Sequence, residues 1–144
     1  MNISIRKATS DDLESIYLLI CELEEQHLDG ELFEIIFLKN INDPHIHYLV
    51  AILNNRIVGF LSLHVQHILH HSKPTCELQE LNIKCELRGS GIGALLMKEV
   101  ERIANELNLE EIELTTKMHR ERAQAFYRNL GYSHTHNKFV KKLS

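Results

Sequence analysis

A run of histidines stands out among the residues that could bind a ligand or take part in catalysis. Residues 64–71 read HVQHILHH and hold four of the ten histidines in the 144-residue chain. Imidazoles move protons, bind metals and hold anions. The run therefore fits a metal site, one wall of a substrate pocket, or a solvated strand end. His67 and His71 have the i, i+4 spacing of a helical HExxH motif, but Ile68 stands where that motif has its glutamate. His64 and His70 would lie about 20 Å apart on a regular strand, which disfavours a closed zinc site.

A second feature is a glycine-rich turn between an apolar strand and a helix. Residues 81–96 read LNIKCELRGSGIGALL. Glycine lets the backbone approach a ligand and adopt positive φ, and the N–H groups of a first helical turn attract an anion such as a pyrophosphate. Arg88 would add a charge-assisted contact. The spacing is neither the GxGxxG of a Rossmann fingerprint nor a Walker A loop with GK[ST], and a purely structural turn is the alternative.

Two segments resemble the GNAT superfamily of N-acetyltransferases. Residues 88–93 (RGSGIG) fit its Q/R-x-x-G-x-G/A signature, and residues 123–132 (AQAFYRNLGY) look like its A-x-x-F-Y-x-x-x-G-F/Y segment. The segments stand at the family's usual separation, across a helix and a strand. The resemblance implies acetyl-CoA as cosubstrate, a primary amine as acceptor, direct attack on the thioester in a ternary complex and, often, a homodimer.

Acetyl transfer to an amine makes three chemical demands. The ammonium must lose a proton, the developing oxyanion needs donors, and the leaving thiolate must be protonated or stabilised. Tyr127 matches the family's general acid, although a tyrosine on an amphipathic helix is otherwise a core residue. Glu77 resembles the family's catalytic glutamate, with Glu80 as second candidate; either could instead be a solvated strand carboxylate. A regular strand turns residues three apart to opposite faces, unless a bulge intervenes.

The resemblance also implies where CoA binds. The main chain at Leu81 and Ile83 is expected to pair with the pantetheine arm. The implied CoA-binding residues are Leu81, Asn82, Ile83, Arg88, Gly89, Ser90, Gly91, Ile92, Gly93, Ala94, Arg120 and Phe126. Arg120 stands where many members have a CoA-contacting asparagine, and Cys85 stands where the superfamily often has a proline. Individual side-chain contacts to CoA are therefore expected to differ from the family pattern.

Segments over almost the whole chain resemble the aminoalkylphosphonate N-acetyltransferase branch. They include LICEL at 19–23, LHVQ at 63–66, LHH at 69–71 and ELQEL at 77–81, whereas Lys117 replaces an expected asparagine. Members of this branch acetylate small amines that carry a phosphonate, and a divalent metal has been associated with the activity. We expect the acceptor to be bound by His64, His70, His71 and His136. No metal site is assigned, and His64, His70 and His71 are the candidate ligands.

The elements that must position these residues alternate in a mixed α/β order. Periodicity predicts helices at residues 10–25, 31–41, 91–107 and 121–130. It predicts strands at residues 3–6, 48–53, 57–63 with 64–71 as the far end, 76–84, 111–115 and 138–143. Asn54-Asn55 is a predicted hairpin turn. With the resemblance, this gives a single GNAT domain over residues 1–144, whose mostly antiparallel sheet of about six or seven strands is flanked by about four helices.

Composition narrows the class of protein. Hydrophobic residues make up 44% and charged residues 25% of the chain, as in soluble globular proteins. A net charge of −4 disfavours nucleic-acid or anionic-membrane binding, and neither a membrane span nor a signal peptide is predicted. Three cysteines without a CxxC motif favour a reducing cytoplasm.

Three classes of function fit these observations. The first is a small-molecule N-acetyltransferase, whose acceptor is an aminoalkylphosphonate or else an amino acid, a polyamine or a protein N-terminus. The second is a non-catalytic acetyl-CoA sensor that keeps the glycine-rich turn, and the presence of both Glu77 and Tyr127 disfavours it. The third is a metal-binding protein built on the histidine run.

Overall fold

The computed structural model describes residues 1–144 as two compact units, residues 1–113 and residues 114–144. The strands are β1 (Ile3–Lys7), β2 (Ile46–Leu53), β3 (Arg56–His67), β4 (Pro74–Ile83) and β5 (Ile112–Leu114). The helices are α1 (Leu13–Glu24), α2 (Gly30–Ile41), α3 (Ile92–Glu106) and α4 (Glu121–Asn129). Short 3₁₀ segments occupy Ser10–Asp12, Leu69–His71 and Cys85–Leu87. The mixed α/β class and the four helices are as predicted, with ends that differ by a few residues.

The five strands form one sheet in the order β1-β2-β3-β4-β5, and β1 to β4 are antiparallel neighbours. The sheet therefore has five strands rather than six or seven. The predicted strand at residues 138–143 is wrong, because that segment has no strand structure. Phe139 is 93% exposed and Leu143 92% exposed. An alternating apolar pattern forms a strand only where a neighbouring strand completes the backbone hydrogen bonds and buries one face.

The histidine run is likewise only partly a strand. Residues 64–67 end β3, but Leu69–His71 form a 3₁₀ turn, so the prediction that the whole run continues the strand is wrong. Ser72 follows with φ of 59°, a left-handed conformation that redirects the chain toward β4. The histidines on either side of this break consequently point to different parts of the molecule.

An asparagine pair sets the hairpin between β2 and β3. Asn54 and Asn55 have φ of 51° and 61°, which matches the type I′ geometry that suits a two-residue hairpin. The predicted turn is confirmed. Further along β3, a Cβ on Gly59 would lie 2.7 Å from Ile83 Cδ1 and 3.4 Å from Leu96 Cδ1. A side chain at position 59 would therefore require Ile83 to shift where β3, β4 and α3 approach each other.

Helices cover both faces of the sheet. The buried residues of α3 recur at helical spacing: Ile92, Leu96, Met97, Val100, Ile103 and Ala104. The other face packs against α1 and α2, in a cluster that contains Ile16, Leu19, Ile20, Phe37, Tyr48, Val50 and Phe60. Full burial of one such side chain contributes about 1.5–3 kcal/mol. These two layers hold the middle strands between helices, and β4 carries the candidate bases.

A buried carboxylate fixes the start of α1. Asp12 Oδ2 accepts a hydrogen bond from the backbone N–H of Thr9 at 2.8 Å, and the two carboxylate oxygens accept from Arg6 at 2.7 Å and 3.0 Å. The Arg6 hydrogen bonds hold the pKa of Asp12 below its ordinary value, against the opposing effect of burial. This group is a structural anchor for the helix that covers the candidate site.

Candidate active site

A β-bulge brings both candidate bases to one face of the sheet. Leu78 pairs with Leu63 and Glu80 pairs with Ser62, so Gln79 is an extra residue in β4. Glu77 pairs with His64, two residues from Ser62 on β3. Because residues two apart on a strand share a face, both glutamates point to the α1 side. The bulge, considered from the sequence as an alternative, is therefore present.

Glu80 has defined hydrogen-bond partners on this face. Ser62 Oγ donates to Glu80 Oε1 and accepts from the backbone N–H of Glu80 at 3.1 Å. Tyr48 pairs with Ser62 on the other side, and its hydroxyl accepts from Asn40 Nδ2 at 2.9 Å. Burial raises the pKa of Tyr48, the Asn40 bond opposes this shift, and the negative charge of Glu80 adds to it. The carboxylate and the phenol are thus close enough to interact electrostatically.

The glycine-rich turn has the conformation that its composition predicts. Gly89 and Gly91 have φ of 81° and 92°, which strains any residue with a Cβ. Ser90 Oγ donates to the carbonyl of Leu87 at 2.5 Å, and the first α3 hydrogen bond runs from the N–H of Leu95 to Gly91 at 3.1 Å. The preceding N–H groups of the first turn have no helical acceptor, so they can bind an anion.

The side chain of Arg88 is 40% exposed, but its donor groups are engaged by other residues of the protein. Its Nη2 donates to Glu22 at 2.8 Å and to Asn82 Oδ1 at 3.1 Å, and its Nε donates to the carbonyl of Ile83 at 3.2 Å. Asn82, 5% exposed, donates in turn to the carbonyl of Leu19 at 2.9 Å. These bonds connect α1, the end of β4 and the turn. Both residues were predicted to bind CoA, and in this arrangement their side chains are used for structural contacts.

The other predicted CoA-binding residues differ in exposure. Ile92 is buried in the α3 layer, so it could meet a ligand only through its main chain. Leu81 and Gly93 are half-buried, whereas Gly89, Ser90, Gly91 and Ala94 are exposed. The turn therefore presents mostly backbone to solvent, as an anion-binding turn requires.

The histidines of residues 64–71 do not converge on one point. His64 is half-buried and faces the glutamates through its pairing with Glu77. His70 is exposed and contacts His71, with ring centroids 4.4 Å apart. His71 instead meets two carboxylates of the β5 region, with its Nε2 3.4 Å from Glu111 and 3.9 Å from Glu113. One ligand atom from each of the three residues lies within 4.8 Å of the others.

The second unit contains the candidate general acid. Tyr127 of α4 is 9% exposed, and its ring contacts Phe126 and Tyr132 at centroid distances of 5.1 Å and 5.9 Å. Burial, and secondarily Tyr132, raise the pKa of Tyr127, while Arg120 opposes the shift. The phenol therefore keeps its proton at neutral pH, as a proton donor must. Gly131 follows α4 with φ of 94°, the left-handed conformation of a C′ glycine that ends a helix.

Two other predicted residues also lie in this unit. Arg120 is half-buried and occupies the N-cap position of α4. His136 is exposed, and its Nδ1 lies 2.5 Å from Thr135 Oγ1. His136 lies in a segment without regular secondary structure, since residues 131–144 contain no strand.

Comparison with known proteins decides the family. A family model described as the acetyltransferase (GNAT) family matches residues 10–132. The chain belongs to this family. The GNAT chain is also 40% identical, over 139 residues, to the aminoalkylphosphonate N-acetyltransferase of Salmonella typhimurium strain LT2, a match that covers 96% of this chain and 90% of the relative. The protein is thus an acetyltransferase, and its family uses acetyl-CoA as cosubstrate.

Solved structures agree with the GNAT fold. A transcriptional regulator from Bacillus halodurans C-125 matches with a TM-score of 0.90 and 23% identity, over 99% of this chain and 100% of that one. A ribosomal-protein-alanine N-acetyltransferase from Brucella melitensis biovar Abortus 2308 matches with a TM-score of 0.82 and 15% identity, over 99% and 100% of the two chains. At these identities the matches show the fold alone. None of the acetyltransferase's helices is long and apolar enough to span a membrane.

Sequence reasoning missed several polar residues of the acetyltransferase. Ser62 contacts the candidate base Glu80, and Asn40 contacts Tyr48. Glu111 and Glu113 both lie beside His71. Ser62 had a detectable signal, because it is a polar residue inside the apolar run of residues 57–63 and a buried hydroxyl needs a partner. The other three needed the tertiary structure, since they lie on elements that are distant in the sequence.

Proposed function

We propose that the protein acetylates the primary amine of a small molecule that carries a phosphonate, an aminoalkylphosphonate, with acetyl-CoA as donor. The observation that carries the proposal is the 40% identity, over 96% of the chain, to a relative named for that activity. The shared face of Glu77, Glu80 and His64 supports it, because a cationic amine and an anionic group both find partners there. Both compact units are proposed to act as one catalytic domain.

The proposed reaction is direct transfer in a ternary complex. Glu77 or Glu80 takes one proton from the acceptor ammonium, directly or through a water molecule. The nitrogen lone pair then bonds to the thioester carbon, the C–S bond breaks, and its electron pair leaves with sulfur. Tyr127 gives the sulfur a proton and regains one as the product amide loses its extra proton to solvent. Because its pKa is raised, Tyr127 carries a proton at neutral pH before the reaction begins.

CoA is proposed to bind along β4 and at the glycine-rich turn. The main chain at Leu81 and Ile83 holds the pantetheine arm, and the N–H groups at the start of α3 hold the pyrophosphate. Arg120 and Phe126 are proposed contacts from the second unit. The engaged side chain of Arg88 indicates that its contribution is to hold the turn in shape.

The anionic group of the acceptor is assigned to histidines. His64 shares the face of the glutamates, which makes it the first candidate. His70, His71 and His136 are the further candidates, and His70 contacts His71 directly. An imidazole can donate a hydrogen bond to a phosphonate oxygen and can also carry a positive charge. The acceptor's two ends would thus be recognised by different chemistry, carboxylate for the amine and imidazole for the anion.

A divalent metal is a further part of the proposal, and the residues around His71 fit one. His71, Glu111 and Glu113 offer one imidazole nitrogen and two carboxylate oxygens within 4.8 Å, a donor set that suits Zn²⁺, Mn²⁺ or a similar ion. His64 and His70 are not part of this group. A bound cation would supply positive charge for an anionic acceptor. The three free cysteines fit the reducing cytoplasm in which we place the reaction.

An amine screen tests the function. Release of free CoA thiol from acetyl-CoA is measured with aminomethylphosphonate, aminoethylphosphonate, spermidine and free amino acids, with and without a divalent metal. We expect turnover with at least one phosphonate to exceed turnover with all other amines. Good turnover of another amine alone would contradict the phosphonate assignment. Tight CoA binding with no turnover of any amine would instead favour an acetyl-CoA sensor.

A further inference from the structure

Three side chains form a row across the middle of the sheet. Tyr48, Ser62 and Glu80 are direct pairing partners on β2, β3 and β4, so they share the α1 face. Ser62 is fully buried and Tyr48 is 8% exposed, whereas Glu80 is half-buried. The row therefore runs from the apolar core to a carboxylate that solvent or a ligand can reach.

The hydroxyl of Ser62 holds Glu80 at two points. Its oxygen accepts from the backbone N–H of Glu80 at 3.1 Å, and its proton is donated to Glu80 Oε1. A serine hydroxyl has a single proton, so this proton is committed to the carboxylate. Because Ser62 holds both the main chain and the side chain of one residue, the carboxylate has a fixed orientation, as a catalytic group requires.

The neighbouring phenol is also held in place. The ring of Tyr48 stacks on Phe37 at a centroid distance of 5.5 Å and meets Phe60 edge-on at 5.4 Å. Its hydroxyl oxygen accepts from Asn40, which directs the hydroxyl proton elsewhere on this face. A neutral phenol beside the carboxylate adds no second negative charge that would compete for the acceptor's ammonium.

We propose that Ser62 is a positioning residue and that Glu80, which it holds, is the base that deprotonates the acceptor amine. The inference rests on the acetyl transfer proposed above. Ser62 engages Oε1 and leaves Oε2 for the ammonium. Glu80 also directly precedes Leu81, whose main chain is the proposed partner of the pantetheine arm, so the base stands beside the thioester. The proposal thereby reverses the order of the two carboxylates expected from the sequence, in which Glu77 came first and Glu80 second.

Glu77 takes a different part in this arrangement. It precedes Glu80 on β4 by two pairing positions and lies opposite His64. At the rise of a strand, the two glutamates are about 7 Å apart. Its place there suits contact with the body of the acceptor rather than with the reacting nitrogen.

The kinetic test compares two buried hydroxyls. Ser62→Ala removes the bond to the carboxylate, and we expect kcat to fall about 10- to 100-fold while the KM for acetyl-CoA is unchanged. Ser62→Thr, which keeps the hydroxyl, restores kcat. The matched control is Thr75→Val, because Thr75 is fully buried and its hydroxyl has no partner; its kcat stays that of the wild type.

Two results would overturn the proposal. One is wild-type kcat in Ser62→Ala; the other is an equal loss in Ser62→Ala and Thr75→Val, which would indicate a packing effect. A ¹³C NMR spectrum of the Glu80 carboxyl, assigned with Glu80→Gln, needs no acceptor and so works even if the amine screen fails. There we expect the carboxyl signal of Glu80 to change its chemical shift in Ser62→Ala, and an unchanged signal would refute the Ser62–Glu80 contact by itself.

Discussion

Two pairs of glutamates, one on β4 and one at the start of β5, have different surroundings. Glu77 and Glu80 are three residues apart and share a face only because Gln79 bulges. Glu111 and Glu113 are two residues apart, and both meet the imidazole of His71. The first pair lies beside a fully buried hydroxyl, and the side chains of the second are 47% and 39% exposed.

This difference indicates that the group contacting a carboxylate determines which role the carboxylate can play. A hydroxyl donor orients a carboxylate and leaves it with one free oxygen for a proton. An imidazole nitrogen between two carboxylates completes a set of donors that a divalent cation prefers. Glu77 and Glu80, the inner pair, are therefore suited to proton transfer. Glu111 and Glu113, the outer pair, are suited to holding a cation.

The largest effect is expected when the charges of the inner pair are removed. Glu80→Gln keeps the shape but cannot accept the proton, so we expect kcat to fall about 10²–10⁴-fold, measured by thiol release with the best amine of the screen. Glu77→Gln should lose less. Glu106→Gln, on the exposed face of α3, is the matched surface control. A larger loss in Glu77→Gln than in Glu80→Gln would reverse the assignment of the base.

The outer pair is tested by cation binding rather than by activity. We expect Mn²⁺, followed by electron paramagnetic resonance of the free ion, to bind the wild-type chain at one site. Glu113→Gln removes one donor and should weaken binding at least about 10-fold. Glu110→Gln, which lies beside the cluster but outside it, serves as control. Equal affinity in the wild type and Glu113→Gln would show that His71 pairs with these carboxylates without any metal.

A third carboxylate, that of Asp12, has a cationic partner that is a side chain of the protein itself, Arg6. The Arg6 hydrogen bonds lower the pKa of Asp12, so this pair stabilises the fold above the unfolded carboxyl pKa of about 3.9. That stability is lost as pH falls through the lower folded value. Asp12→Asn should lower the free energy of unfolding by about 1–2 kcal/mol at neutral pH, measured by urea denaturation. The difference from wild type should shrink at low pH, and a constant difference would contradict the ionic contribution.

Much of the fold follows from local sequence. Helical spacing in residues 91–107, the Asn54-Asn55 turn and the C′ glycine at 131 each have a short-range physical cause, so they could be predicted. The segment at 138–143 could not, because its alternating pattern specifies a strand only when a neighbour pairs with it. The bulge at Gln79 also depends on pairing with β3, and no residue type in ELQEL requires it.

The candidate site divides in the same way. The glycine-rich turn and Tyr127 lie in short segments with family signatures, so the sequence identified them. The engagement of Arg88 with Glu22 joins residues 66 positions apart, and the contact of His71 with Glu111 joins residues 40 positions apart. Side-chain contacts at such separations depend on the tertiary fold, and only the structure could reveal which predicted ligands are already occupied.

The extra residue in β4 has a consequence for how the chain can change in length. Deletion of Gln79 would join Leu78 to Glu80, which already point to opposite faces. All remaining side chains of β4 would therefore keep their direction. Deletion of Leu81 would instead turn Asn82 away from α1 and into the apolar layer beneath α3. A length difference of one residue in this strand between relatives should therefore fall at position 79, where insertion and loss leave the orientation of both carboxylates intact.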